Sequence, residues 1–398
     1  MKVAVIVTEF PSVSETFVTN EITGLLARGH DVHVFAWQRG RSPVVHPDVL
    51  EHRLLERTRY LAVPELWRRP WSALRLLAAG LPHGPGPLLR SLDVTRFGRE
   101  AVSLSLLHVA SSFDAHYDVI HCQFGTNGDL GAKLKALGIS RKLVVTFHGY
   151  DLRRGLAGPP GLYARVFAAS DRVIAISGYN HETLVRLGAP PEKLVIHPVG
   201  IDVRRFAGRP LVRPGSQDEV RIVTVARLSE EKGLDHGIRA VAALRDRRPQ
   251  TPVRYRIVGG GRSEAQLREL VRSLGLEETV EFLGPRPHDE VATVLAESDL
   301  FMLPSLAEAL PVVLMEAQAS GLPTLATAVG SVDEIVLDGR TGFVVPPGDT
   351  AALAERLGHL LEHRDRWAEL GSAGRRHVAE RFDIEMLNDR LVDLYRSL

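Results

Sequence analysis

Residues 221–235 of this chain have the sequence RIVTVARLSEEKGLD, and this stretch indicates the architecture of the second half. The apolar, β-branched run Arg221–Ala226 predicts a buried strand, and a helix is expected to begin near Asp235. The loop between them carries two cations, Arg227 and Lys232. In doubly wound sheets, ligands bind at the end of such a strand, so this loop is a candidate site.

The same rhythm of short apolar runs and amphipathic helical stretches occurs along the whole chain, and it is typical of parallel βαβ units. The stretch Glu15–Arg28 has the pattern of a helix that ends at Gly29. The predicted strands are Val3–Val7, Asp31–Ala36, Val119–His121, Leu143–Phe147, Arg172–Ile176, Leu194–Ile196, Arg221–Ala226, Tyr255–Val258, Val280–Leu283, Leu300–Leu303 and Pro323–Ala326. The sequence therefore predicts two doubly wound α/β domains that face one cleft.

Composition places the domain boundaries. The polar stretch Ala207–Glu219, rich in proline and glycine, has the character of a joint between domains. We therefore expect one domain over residues 1–206, a second over residues 207–382, and a C-terminal helix over residues 383–398. This amphipathic helix either caps its own domain or crosses back to the first one.

Charge, hydropathy and cysteine content exclude several classes of protein. The 398 residues carry 49 Lys and Arg against 48 Asp and Glu, so a net charge of +1 argues against a dedicated nucleic-acid binder. No stretch approaches the ~18 apolar residues of a membrane span, and the apolar start is too short for a signal peptide. A single cysteine, Cys122, excludes an internal disulfide and a cysteine-built zinc site. A cytoplasmic location is expected.

Residues 41–100 depart from the βαβ rhythm. They combine many arginines with leucines and with Trp67 and Trp71. One interpretation, which we favour, is a helical insertion whose tryptophans pack on the domain and whose arginines are solvated. The other is a peripheral element at the inner surface of a membrane.

Residues 304–317, PSLAEALPVVLMEA, hold two carboxylates eight positions apart, Glu308 and Glu316. Pro311 is predicted to lie in the first turn of a helix, where its missing N–H costs nothing. The free N–H groups at the start of this helix form an anion site made from backbone alone. A phosphate bound there would bring sugar hydroxyls within reach of both carboxylates. Such spacing is common in proteins, so two ordinary surface glutamates are the alternative.

The loop after the strand at 221–226 strengthens this interpretation. Arg227 and Lys232 leave the carboxyl end of the sheet ahead of a helix, and Lys232 is the sole lysine of the second half. One bidentate guanidinium and one ammonium group suit a diphosphate. The alternative is a pair of solvated charges in a surface loop.

These motifs together resemble the retaining glycosyltransferases of family 4, which have the GT-B fold of two Rossmann-like domains. The resemblance rests on Glu308 to Glu316 as E-x7-E, on Arg227-Leu228 to Lys232-Gly233, and on Gly321-Leu322-Pro323. It extends over nearly the whole chain. Further matching segments are Val258–Gly261, Phe282–Gly284, Asp338–Gly342, Arg381-Phe382, Phe147–Asp151 and Gly200–Asp202. The segment Phe10–Phe17 is similar to a branch that acts in exopolysaccharide assembly, of the colanic acid type.

The resemblance implies a role for each motif residue. Arg227 and Lys232 would hold the diphosphate of a nucleotide sugar, and Glu316 would accept hydrogen bonds from the ribose. Glu308 would contact the donor sugar near the reacting carbon. Supporting positions in the nucleotide-sugar-binding domain would be the backbone of Ala309, Leu310, Pro311 and Val312, with Gly284 and Arg286 near the base.

The acceptor-side domain would contribute His148, which follows the predicted strand 143–147 and would reach the donor sugar or the acceptor. Asp151 and Ser14 would also line the substrate site. A histidine that merely caps a helix and holds Asp151 is the alternative for His148.

The chain departs from the family pattern at two positions. Many relatives have a glycine pair in the first strand–helix loop, whereas Glu9–Glu15 contains no glycine. Ala309 stands where a glycine usually follows the first motif glutamate. Both departures bear on how the donor and the acceptor are held.

No Asp-x-Asp motif occurs in the sequence, so we expect neither a metal nor another cofactor, and expect the cations and the helix start to replace the metal. The expected activity is the transfer of a sugar, with retention, from a UDP- or GDP-sugar to a hydroxyl of a glycan, lipid-linked or small-molecule acceptor. The alternatives are a nucleotide-sugar epimerase on a similar scaffold and an inactive sugar-binding protein. A nicotinamide or flavin enzyme is disfavoured because G-x-G-x-x-G is missing after the predicted strands.

Overall fold

The computed structural model of the chain describes residues 1–12, 15–40, 47–79, 84–206 and 219–398. Ser14 and most of the predicted joint, residues 207–218, lie outside the described residues.

The first sheet has seven parallel strands in the order β3-β2-β1-β4-β5-β6-β7. The chain runs outward from β1 to β3 at the edge of the sheet and then returns to form β4 on the other side of β1, so the strand order reverses between β1 and β4. The strands are β1 (Lys2–Phe10), β2 (Asp31–Arg39), β3 (Thr58–Tyr60), β4 (Tyr117–Gln123), β5 (Ser140–Phe147), β6 (Arg172–Ala175) and β7 (Leu194–Ile196).

The second sheet repeats this topology with six parallel strands in the order β10-β9-β8-β11-β12-β13. Here the strand order reverses between β8 and β11. The strands are β8 (Val220–Val225), β9 (Val253–Val258), β10 (Val280–Gly284), β11 (Leu300–Leu303), β12 (Thr324–Thr327) and β13 (Gly342–Val345). Both sheets confirm the doubly wound α/β class that the sequence predicts.

Helices connect the strands in each half. In the first half they are α1 (Thr16–Ala27), α2 (Pro47–Glu51), α3 (Arg69–Ala79), α4 (Gly86–Arg90), α5 (Val94–Phe97), α6 (Arg99–Val102), α7 (Ser105–Ser111), α8 (Gly125–Leu137), α9 (Gly149–Ala157), α10 (Ala164–Ala169) and α11 (Gly178–Arg186). In the second half they are α12 (Leu234–Arg247), α13 (Glu264–Ser273), α14 (His288–Ala296), α15 (Val312–Ala319), α16 (Val332–Ile335), α17 (Thr350–Glu362), α18 (Trp367–Phe382) and α19 (Ile384–Arg396).

The chain divides into two compact units. The first comprises Met1–Pro198 with Leu387–Leu398, and the second comprises Val199–Met386. Residues 199–206, assigned to the first domain in the sequence analysis, thus group with the second unit. Most of the last helix groups with the first unit.

The core of each unit follows from the apolar strands. In the first unit the central strand segment Val3–Val7 is fully buried because helices cover both faces of a parallel sheet. Leu391, Val392 and Tyr395 of α19 belong to the same core. Cys122 on β4 is also fully buried, and burial raises the pKa of its thiol. It acts as a small apolar residue, as predicted.

Two features of residues 41–100 differ from expectation. A short edge strand, β3, lies within this stretch, which was predicted as helical. Trp67 and Trp71 are 67% and 73% exposed, so the favoured prediction that they pack on the domain is wrong. Residues 41–46 and 80–83 of this stretch lie outside the described residues.

Candidate active site

Two loops of the second unit meet where the strand order reverses. The loop after β8 contains Arg227, Lys232 and Gly233, and the loop after β11 runs from Pro304 to Pro311. β8 and β11 are parallel neighbours, so both loops leave the same edge of the sheet. This is the place where doubly wound sheets bind ligands.

Gly233 allows the two loops to approach closely. It has a φ of +55°, and a Cβ at this position would collide with the carbonyl oxygen of Pro304. The backbone N–H groups of Leu306 and Ala307 donate to the Glu231 carbonyl oxygen at 2.8 and 3.2 Å. The loops are therefore held together by backbone contacts that leave no room for a side chain at position 233.

Glu308 is held by one partner from each loop. Lys232 Nζ lies 2.7 Å from Glu308 Oε1, and Ser305 Oγ donates to the same oxygen at 2.7 Å. The Glu308 side chain is only 9% exposed and that of Lys232 16% exposed. Among the described residues both partners bond Oε1, which leaves Oε2 for another donor.

Arg227, in contrast, is an exposed cation. Its side chain is 75% exposed, and its Nη2 donates to Glu231 Oε1 at 2.9 Å. An exposed ion pair contributes little free energy, so the Arg227 guanidinium can leave Glu231 and bind a ligand with a small loss of free energy.

The start of α15 provides backbone donors. Pro311 is the N-cap residue with a ψ of 100°, and the helix begins at Val312. The prediction that Pro311 lies within the first turn is therefore wrong by one position. No side chain caps this end, so the first N–H groups of the helix are available for an anion. Leu310 is buried, and the carbonyl of Ala309 accepts from Ser331 N at 3.0 Å.

Glu316 lies in the second turn of α15 and is 7% exposed. His288 Nε2, at the start of α14, lies 2.9 Å from Glu316 Oε1. This hydrogen bond raises the pKa of His288 against the opposing effect of burial. His288 was not predicted as part of the site, because 28 residues separate it from Glu316 and neither spacing nor motif joins them.

Gly284 and Arg286 form the loop after β10. Gly284 has a φ of +72° at an irregularity in the pairing of β10 with β9, and its carbonyl accepts from Gly259 N at 2.9 Å. Arg286 donates to the Leu283 carbonyl oxygen at 3.1 Å and to Glu290 at 3.0 Å. The Arg286 side chain thus stabilises the turn by a hydrogen bond to the backbone of that turn.

In the first unit, His148 and Asp151 lie at the end of β5. His148 is the N-cap residue of α9, and its backbone N–H donates to Asp151 Oδ2 at 2.9 Å. Burial lowers the pKa of His148 to about 3, so its ring is neutral at physiological pH. Burial also raises the pKa of Asp151 to about 6, although backbone N–H groups of His148, Gly125 and Thr126 oppose this. His148 thus caps α9, as the alternative interpretation predicts, and it also lies directly after β5, at the strand end that the functional interpretation predicts.

One further cluster has metal-ligating groups. Within the described part of the chain, His359 and Glu362 of α17 lie together with His363, the residue directly after that helix. Arg248 already pairs with Glu362.

Comparison with known families assigns both halves of the chain. Residues 14–205 match the model described as Glycosyltransferase Family 4, and residues 213–377 match Glycosyl transferases group 1. The chain is 34% identical to WcaL of Salmonella typhimurium, which carries the name of a colanic acid biosynthesis glycosyltransferase. It is 31% identical to the amylovoran biosynthesis glycosyltransferase AmsK of Erwinia amylovora. Each of these two alignments covers 100% of both proteins.

Solved structures agree with the fold. The crystal structure of Anabaena HepE in complex with UDP and glucose matches with a TM-score of 0.73 and 20% identity, and the match covers 100% of both chains. The two doubly wound units are thus those of the GT-B fold. With both domain models and full-length relatives in agreement, the chain belongs to glycosyltransferase family 4, in the branch similar to exopolysaccharide enzymes, and is a glycosyltransferase.

Proposed function

We propose that this glycosyltransferase moves a hexose from a UDP- or GDP-sugar to a hydroxyl group during exopolysaccharide assembly, with retention and without a metal. The proposal rests on the two hydrogen bonds that Lys232 and Ser305 make to Glu308, directly ahead of the α15 N-terminus. A carboxylate, an ammonium group and free backbone N–H groups are thereby brought to one strand end. These groups match the hydroxyls and the diphosphate of a nucleotide sugar.

Charge balance supports metal independence. The departing nucleoside diphosphate gains negative charge, which cations and helix N-termini stabilise when they are already oriented toward it. Lys232 has three N–H donors, so it can retain Glu308 and still donate to a phosphate. Arg227 adds a guanidinium that suits bidentate contact with phosphate oxygens.

The proposed step takes place on one face of the sugar. The bond between the anomeric carbon and the phosphate oxygen breaks, and its electron pair remains on the diphosphate. The acceptor oxygen bonds to the same face of that carbon, and its proton passes to the departing phosphate oxygen. In this step Glu308 would orient the sugar through its hydroxyls, and Glu316 would hold the ribose.

The relatives guide the choice of donor and acceptor. WcaL and AmsK carry names of colanic acid and amylovoran biosynthesis, and HepE was crystallised with UDP and glucose. We therefore propose a growing glycan on a lipid carrier as the acceptor, ahead of a small-molecule acceptor.

An exposed apolar surface on the first unit supports a lipid-linked acceptor. Leu66, Trp67, Trp71 and Leu74 are each more than 60% exposed. The Arg68 guanidinium lies 4.6 Å from the centre of the Trp67 ring. Tryptophan with arginine is the composition of elements that lie on anionic membranes. None of the described helices has both the length and the apolarity to span a membrane.

The function is tested by incubating the protein with UDP- and GDP-hexoses and a lipid-linked glycan, in EDTA, and measuring released nucleoside diphosphate. We expect release that requires acceptor, and a product whose anomeric configuration, read by NMR, matches that of the donor. An inverted product or a requirement for Mg²⁺ would contradict the proposal. Conversion of the donor sugar without acceptor would indicate the epimerase, and binding without turnover the inactive sugar-binding protein.

Membrane contact is tested separately by sedimentation with anionic vesicles at low salt. We expect the wild type to sediment and Trp67→Ser/Trp71→Ser to remain in the supernatant. Trp367→Ser is unsuitable as a control because Trp367 is buried, so Leu306→Ser, an exposed residue of the second unit, serves instead. Absence of wild-type sedimentation would contradict the membrane proposal alone.

A further inference from the structure

A continuous chain of buried polar side chains ends on His148 in the first unit. His148 Nε2 lies 3.0 Å from Gln123 Oε1. Gln123 Nε2 lies 3.0 Å from each carboxylate oxygen of Glu21. Glu21 Oε1 in turn lies 2.9 Å from His121 Nδ1. These four residues form one path of hydrogen bonds that we call the His148 chain.

The residues of the His148 chain and their neighbours come from α1, β4, β5 and α19. Glu21 lies on α1, and His121 and Gln123 are two residues apart on β4, so they point to the same face of the sheet. The chain also receives contacts beyond these residues. His121 Nε2 lies 2.7 Å from Thr146 Oγ1 on β5, and Tyr395 Oη of α19 lies 2.6 Å from His121 Nδ1.

Glu21 is the fixed charge of the chain. Burial alone would raise its pKa, but His121, His197 and the Gln123 hydrogen bond outweigh burial and lower it. Glu21 is therefore a carboxylate under physiological conditions and can only accept hydrogen bonds.

The Glu21 carboxylate determines which groups of Gln123 and His148 donate hydrogen bonds and which accept them. Because Glu21 only accepts, the group of Gln123 that faces it must be the NH₂, and the reverse orientation would set two oxygens against each other. The amide oxygen of Gln123 consequently faces His148. Since that oxygen cannot donate, His148 Nε2 must carry a hydrogen. A neutral imidazole carries one proton, so Nδ1 of His148 bears the lone pair.

Aromatic rings restrict the imidazole further. The Phe17 ring centre lies 4.7 Å from that of His148, and the Phe124 ring centre lies 4.6 Å from it. The His148 side chain is thus held by two rings and by its hydrogen bond to Gln123, and it also takes part in the capping box at the start of α9, in which it faces the backbone N–H of Asp151.

We propose that Gln123 and Glu21 are positioning residues that hold His148 in the Nε2–H tautomer, so that its Nδ1 serves as the acceptor in the capping box at the start of α9 and fixes the strand end where the donor sugar or the acceptor would bind. The role of this strand end in sugar transfer rests on the proposed function, whereas the tautomer rests on the hydrogen bonds of His148, Gln123 and Glu21, with Glu21 as a carboxylate. In this scheme residues of α1 and β4 determine which nitrogen carries the proton in the ring of His148, which lies between β5 and α9.

The tautomer is tested by long-range ¹H–¹⁵N NMR of histidine-labelled protein, with the His148 signals assigned by their loss in His148→Gln. We expect the wild type to show a single Nε2–H tautomer at pH 7. Gln123→Met, which keeps the size but removes the polar link, should give a mixture of tautomers. Thr146→Val is the matched control, because Thr146 contacts His121 and not His148, and it should retain the wild-type tautomer.

Kinetics test the consequence. We expect Gln123→Met to lower kcat about tenfold or more, with the donor KM changed less than about twofold, because misorientation of one group acts on the transition state. A wild-type Nδ1–H tautomer, or full kcat in a folded Gln123→Met variant, would overturn the proposal. The NMR measurement needs no substrate, so it decides the tautomer even if no sugar is transferred. Absence of wild-type transfer would instead count against the proposed function.

Discussion

Lys232 and Glu308 form an ion pair with an Nζ–Oε1 distance of 2.7 Å across the two loops that follow β8 and β11. Both side chains are largely buried, and Ser305 donates a second hydrogen bond to the same carboxylate oxygen. The pair therefore has two roles, since it fixes the loops to each other and places opposite charges at the strand end. The two roles are separable by experiment.

Lys232→Met should reduce both stability and activity. Without the ammonium group, the largely buried Glu308 carboxylate loses its counter-charge, and we expect the free energy of unfolding to fall by about 1–3 kcal/mol. Glu308→Gln in the same chain should restore part of that loss, because the uncompensated charge is removed. Sugar transfer should remain below about 1% of wild type in both variants. Urea unfolding and donor turnover measure the two effects. A double variant that regains turnover would exclude a catalytic role for the pair.

Arg227→Gln should weaken donor binding without affecting stability. Its side chain is exposed and pairs only with Glu231 in the described structure, so the unfolding free energy should change by less than about 0.5 kcal/mol. We expect the affinity for UDP or GDP to fall about tenfold. Arg268→Gln is the matched control, since Arg268 is also an exposed partner of a glutamate four residues away. Equal nucleotide affinity in both variants would place the diphosphate elsewhere.

His288 should make the second unit less stable as the pH rises. Its pKa is raised in the folded state by the hydrogen bond to Glu316. The stabilisation is therefore complete below the unfolded-state value of about 6.5 and is lost as the pH rises through the folded-state value. His288→Gln should cost about 1 kcal/mol at pH 5.5 and less at pH 9. Thermal unfolding over this range, with His363→Gln as the control, measures the difference. A cost that does not change with pH would argue against a protonated His288.

Gly233→Ala should be unusually destabilising for so small a change. The left-handed backbone at this position costs about 1 kcal/mol for alanine, and the new Cβ collides with the Pro304 carbonyl oxygen. We expect a total loss of about 2 kcal/mol or more, with loss of turnover as the loops separate. Gly339→Ala is the control, because Gly339 has a similar φ of +69° and no atom within 4 Å of a new Cβ. Similar losses in the two variants would show that the close approach of the loops is unimportant.

Much of the fold was predictable because apolar β-branched runs mark parallel strands that are buried on both faces. Two strands were missed, β3 and β13, and both are short edge strands. Thr58–Tyr60 has three residues, and Gly342–Val345 begins at a glycine. Edge strands owe their formation to pairing with a neighbour, and such pairing leaves little trace in local sequence.

The site residues that belong to sequence motifs were predictable. Those that meet the motif residues from distant segments of the chain were not. Lys232 and Glu308 lie at the predicted strand ends and Glu316 lies within the predicted helix, and their roles in catalysis stay predictions. The partner of Glu316, His288, and the partner of His148, Gln123, come from segments that no motif joins. Tertiary pairing of this kind depends on the register of strands and helices, which a single sequence does not encode locally.

The most direct test of the account is calorimetric titration of UDP and GDP into the wild type and Lys232→Met, each in EDTA and then in Mg²⁺. We predict that one nucleotide binds the wild type in EDTA, that Mg²⁺ changes its affinity less than about twofold, and that Lys232→Met weakens it at least about tenfold. Binding that appears only with Mg²⁺, or that is equally strong in Lys232→Met, would contradict the claim that the second unit neutralises the diphosphate with its own charges.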